Sequence, residues 1–180
     1  IPPNFEGTLT FEFDSFTDFS VKTAELLASR ILAKNNSTHL LGVSEYGFWT
    51  IKFQFEQLEI LYRAVRNSPK AKFIIRKDTP FGRWILQQYK IVKVECAPIG
   101  TNLNIHEDLI IQGDHLMEIK FSDESKQIIE KYWNKWKNIN DTFIDFGLKN
   151  EPKLQITVKL THNPEMSDFL RKEIEKYFEG

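Results

Sequence analysis

Residues 7–13, GTLTFEF, set Leu9, Phe11 and Phe13 against Thr8, Thr10 and Glu12. That two-residue period predicts a half-buried strand. Val21, Ala24, Leu27, Ala28, Ile31 and Leu32 then recur at three- and four-residue spacing, which predicts a helix capped by Ser20 and stopped at Asn35-Asn36-Ser37. Residues 39–44 are apolar on both sides through Leu40, Leu41 and Val43, the pattern of a strand in the middle of a sheet. A second helix is predicted over 55–67, where Phe55, Leu58, Leu61, Tyr62 and Val65 form one stripe and Pro69 lies beyond the end.

The pattern continues with a strand at 72–75 (KFII), a short amphipathic piece carrying Trp84, Ile85, Gln88 and Tyr89, and a strand at 91–95. Runs at 109–111 and 116–121 flank a turn containing Gly113, which can adopt the positive φ of a tight hairpin. A long helix behind Ser122, reaching about Lys137, buries Ile128, Ile129, Tyr132, Trp133 and Trp136. Residues 153–161 alternate Leu154, Ile156, Val158 and Leu160 as a strand. Asn163-Pro164, a cap and a first-turn proline, opens a last helix with Met166, Phe169, Leu170, Ile174 and Tyr177 inward. Alternating helices and strands predict an α/β fold, a mixed sheet flanked by helices. The 180 residues read as a single α/β domain: a main unit at 1–137, an irregular connector at 138–152, and an appended strand and helix at 153–180. The pattern leaves open whether that last segment joins the main sheet.

Composition narrows the class. With 41% hydrophobic residues and 15 Phe, the chain can bury an aromatic-rich core without staples. Lys and Arg (24) nearly cancel Asp and Glu (25), so no whole-molecule field attracts nucleic acid or anionic lipid. The single cysteine, Cys96, excludes an intrachain disulfide, and a reducing, cytoplasmic setting is expected. No apolar run is long enough to span a bilayer as a helix, so no membrane contact is expected. The opening Ile1-Pro2-Pro3 reads as the start of a fragment cut from a longer protein, whose other domains would lie outside these residues.

The polar chemistry concentrates in IHEDLIIQGDH, residues 105–115, with two histidines and three carboxylates around the hairpin. His106 and Asp108 fall on one face of a strand, and a metal site could be drawn from them with Asp114 and His115; the commoner use of such residues is at the solvated ends of a hairpin. No metal or cofactor is expected. The order of strand, loop, hairpin and helix IIEKYWNKW, over roughly residues 20–137, resembles a phospholipase D-like half-domain. That resemblance puts His106 at the nucleophile of the family's His-x-Lys-x4-Asp motif. Asp108 then stands where the lysine belongs and Gly113 where the aspartate belongs, with Asp114 one place too late. A carboxylate where a phosphate oxygen must rest is repulsive, so the catalysis implied by the resemblance is expected to be lost. Degenerate versions of the fold resemble the sensor or effector domains of archaeal TrmB-like transcription regulators.

Two further loops draw attention. Arg76, Lys77, Thr79, Gly82 and Arg83 follow a strand and open a helix, where backbone N–H groups can hold an anion. Tyr46 and Trp49 follow the first central strand and can line an apolar cleft; core packing is the commoner use of such residues. The expected function is a non-catalytic, homodimeric sensor or effector domain binding a small anionic metabolite, with DNA contacted only through a domain outside these residues. A phosphodiesterase using His106 and a pure protein-interaction module are the alternatives.

Overall fold

The computed structural model describes residues 5–28, 40–48, 71–147 and 151–178. In chain order these form β1 (Thr8–Phe13), α1 (Phe16–Ala28), β2 (Leu40–Ser44), β3 (Ala71–Ile75), α2 (Pro80–Ile91), β4 (Glu95–Cys96), β5 (Asp108–Gln112) and β6 (His115–Phe121). Then come α3 (Asp123–Lys135), α4 (Ile139–Thr142), a π-helical turn (Phe143–Gly147), β7 (Ile156–His162) and α5 (Pro164–Glu175). The predicted helix at 55–67, the first helix's stop at Asn35-Asn36-Ser37, His39 and Trp49 lie outside the described residues.

The strands make a seven-stranded sheet among the described residues, in the order β1-β7-β6-β5-β2-β3-β4. β2, β3 and β4 run parallel, whereas β5, β6, β7 and β1 each pair antiparallel with their neighbours. The sheet is therefore mixed and helix-flanked, as expected for an α/β fold. β7 lies between β1 and β6, pairing with β6 from His115↔His162 to Phe121↔Ile156. The segment that the sequence left open thus supplies an interior strand.

One face of the sheet packs an aromatic layer against α1, α2 and α3. Phe16, Phe19, Phe81, Trp133 and Trp136 are all at most 1% exposed and meet edge-to-face, as in Phe16–Trp133 and Phe81–Trp136. Trp133 and Trp136 are core residues. The opposite face is a smaller cluster in which Leu41, Val43, Ile74, Leu109, Ile111 and Leu116 receive Ile174 of α5.

Several boundaries differ from expectation. α1 starts at Phe16, with Ser15 Oγ accepting the Asp18 N–H at 3.0 Å, because Phe16 and Phe19 both find core positions. Ser20 is inside that helix and its hydroxyl donates back to the Thr17 carbonyl. The amphipathic piece near Trp84 is a full helix, capped by Thr79 Oγ1 accepting from Gly82 N at 3.0 Å. It consumes Ile91, so the following strand shrinks to Glu95–Cys96. The stretch 138–152 is not wholly irregular, since Asn138 and Asp141 form a capping box that starts α4. On α5 the buried stripe centres on Ser167 and Ile174, while Met166, Phe169 and Tyr177 are exposed. The helix sits on the sheet through a stripe rotated by about one residue from the most hydrophobic one, with Ser167 and Ile174 both fully buried.

Candidate functional site

The hairpin register builds the site. Gly113 takes φ 60° and leaves Gln112 paired with His115, which in turn sets Asp108 opposite Ile119. Asp108 and Lys120 thereby reach the same end of the sheet as the residues that follow the parallel strands β2 and β3. There Glu45, Arg76, His106, Glu107, Asp108, Lys120 and Lys126 rim an open cleft of about 270 Å³ floored by Ile119 and Phe121. The cleft lies beyond the carboxyl ends of β2 and β3, the usual ligand position in such sheets.

Asp108 is 8% exposed and its Oδ1 accepts both the Arg76 guanidinium, at 2.7 Å from Nη2, and the Glu45 backbone N–H, at 2.7 Å. Burial pushes its carboxyl up to about 6, against the pull of Arg76 and the Glu45 N–H. The solvated hairpin end expected for Asp108 and His115 is corrected here: both are buried, because β5 and β6 are interior strands. The His115 ring packs against Phe5 and His162, and its Nε2 hydrogen-bonds the Phe5 carbonyl at 3.1 Å. His106 is exposed and lines the cleft with Arg76, Lys120 and Lys126. Among the described residues, neither Lys120 nor Lys126 is held by a carboxylate. No group of three or more His, Cys, Asp or Glu among the described residues is placed to hold a metal ion.

The Arg76–Trp84 loop is organised by internal pairs. Lys77 Nζ bonds Glu130 at 2.6 Å and the Tyr46 hydroxyl at 3.1 Å, and the Glu130 contact holds its ammonium charged well above the usual lysine range. Arg83 grips Asp78 through two N–H donors at 2.6 and 2.8 Å. Gly82 N is taken by the Thr79 cap, and a Cβ at Gly82 would come within 2.8 Å of that same oxygen. Tyr46 is 6% exposed, with Lys77 lying over its ring. Of the residues singled out in the sequence, Arg76, His106, Glu107 and Asp108 meet in the cleft, whereas Tyr46, Lys77, Thr79, Gly82 and Arg83 are not among its lining residues. Lys120 and Lys126 were missed, although counting the register back from Gly113 points to Lys120.

No protein-family model matches the chain, and no curated protein matches it. Among solved structures, the fold resembles TrmBL2, an archaeal chromatin protein whose structure shows a mode of DNA binding, at TM-score 0.51 and 14% identity over 99% of this chain and 55% of that one. It also resembles a polyphosphate kinase from Porphyromonas gingivalis, at TM-score 0.51 and 8% identity over 93% of this chain and 23% of that one. The chain thus spans about half the length of the first of these and less of the second. What is shared with both is the fold.

Proposed function

We propose that this chain is a non-catalytic sensor or effector module of a regulatory protein, binding a small anionic metabolite in the cleft between Arg76, His106, Lys120 and Lys126 and associating with a second copy. The carrying observation is the placement of those four groups from separate elements around one cleft, two of them lysines without a carboxylate partner among the described residues. The fold likeness to a chromatin protein supports a regulatory role, with DNA read by a part of the parent protein outside these residues. Against turnover, Asp108 sits buried at the motif's lysine position, and its charge is already matched by Arg76.

Differential scanning calorimetry tests this reading. Phosphate, sulfate and sugar phosphates at a hundredfold excess over Kd are expected to stabilise the protein by about 2.7 kcal/mol. The stabilisation should vanish in the double variant Lys120→Ala, Lys126→Ala. Hydrolysis of a generic phosphodiester that disappears in His106→Ala would instead establish the enzyme reading. Sedimentation equilibrium reports the expected dimer.

A further inference from the structure

The Arg76–Asp108 ion pair beside the cleft is lopsided. Arg76 reaches Asp108 through Nη2 to the single oxygen Oδ1, and that oxygen also takes the Glu45 backbone N–H. The Arg76 Nε–H is buried and has no hydrogen-bond partner among the described residues. A guanidinium presents five donors in a planar fork, so a one-point contact leaves donors over for a second acceptor, and the buried Nε–H meets one when the side chain turns toward the cleft that it lines. That acceptor would arrive next to Asp108.

Resting on the anion-site reading above, we infer that the cleft takes up a small oxyanion together with one proton, the anion docking on Arg76 while the Asp108 carboxylate is protonated from solvent. Two negative charges on one guanidinium in a partly desolvated cleft repel each other, and neutralising the carboxylate removes the conflict. With the proton on Asp108, one negative charge of the incoming anion replaces the carboxylate as the counter-ion of Arg76, and the second charge of a dianion such as sulfate is met by Lys120 and Lys126. Burial already favours the protonated carboxyl before any anion arrives.

Every neighbouring element contributes a charge to this balance. Glu45 after β2 and Glu107 before β5 add negative potential and so favour protonation of Asp108. Lys120 on β6 and Lys126 on α3 draw in the anion, and Arg76 at the end of β3 joins the two events. His106 lies on the same rim, and histidine as a residue type also takes protons near neutrality. A test must therefore separate Asp108 from His106.

Sulfate is a suitable probe because its charge is constant across the range of interest. Titration calorimetry of the unmodified protein at pH 7, in two buffers of different ionisation enthalpy, counts protons directly; uptake approaching one per sulfate is expected. The Kd should tighten by up to about tenfold per pH unit as pH falls toward 6. His106→Gln should keep that dependence, and Asp108→Asn should lose it while still binding sulfate at pH 7. Sulfate binding without proton uptake overturns the inference, as does a pH dependence that survives Asp108→Asn and disappears in His106→Gln. If Asp108→Asn does not fold, the proton count and His106→Gln decide the matter. Absence of sulfate and phosphate binding at either pH overturns the anion-site reading and this inference with it.

Discussion

Asp108 shows how one residue's environment reverses its expected role. Read along the chain it is a polar end of a hairpin; in the fold it is buried beside Arg76, and its carboxyl is raised to about 6 from the ordinary 3.8. Because the folded state holds this proton more tightly than the unfolded chain, the stability it contributes is fully present below about pH 4 and is lost as pH rises through about 6. Between pH 7 and pH 4 the difference in unfolding free energy between the native protein and Asp108→Asn should shift by on the order of 3 kcal/mol. Urea melts at several pH values would measure it, and parallel curves for the two proteins would contradict it. Gly42 makes a second point at this scale. A Cβ built there lies 1.9 Å from Cε2 of Phe73, whose ring is itself buried, so Gly42→Ala should cost roughly 1–3 kcal/mol through forced repacking. Neither the pairing of Asp108 nor the closeness of Phe73 to Gly42 is visible in sequence, because each depends on partners 32 or 31 positions away.

At the scale of elements, period and capping signals carried most of the information. Ser122, Asn163 and Gly113 mark their helix starts and turn as expected, since a cap or a positive φ is a local requirement met by a local residue. Thr79 belongs to the same class, and Thr79→Ala should lower stability by about 1 kcal/mol in denaturant melts by releasing the Gly82 N–H. Which face of α5 is buried was less legible. Met166 and Phe169 are more apolar than Ser167, yet Ser167 and Ile174 are the ones at 0% exposure, whereas Phe169 is 59% exposed. Ile174→Ala is therefore expected to cost about 2–4 kcal/mol and Phe169→Ala less than about 0.5 kcal/mol. The reverse order would mean the helix docks by its other stripe.

For the whole molecule, the position of β7 is decisive. It hydrogen-bonds to β1, formed by the N-terminal residues, and to β6 of the central hairpin, so the sheet crosses the boundary expected at 137–153. A chain ended at residue 152 would leave β1 unpaired and the outer edge of β6 open, with Phe11, Phe13, Met117 and Ile119 deprived of Ile156, Val158 and Leu160. It should show no cooperative thermal transition and no near-ultraviolet circular dichroism; a sharp transition would argue that residues 1–152 are self-sufficient. The sequence by itself determined the kinds of element, most of their order and the α/β class, because hydrophobic period, caps and turn residues act over a few positions. Only the tertiary structure decided where β7 inserts, which stripe of α5 is buried, and that Arg76, His106, Lys120 and Lys126 share one cleft. Those outcomes depend on strand pairing and on the exclusion of water by distant segments, and neither leaves a short-range mark on the chain.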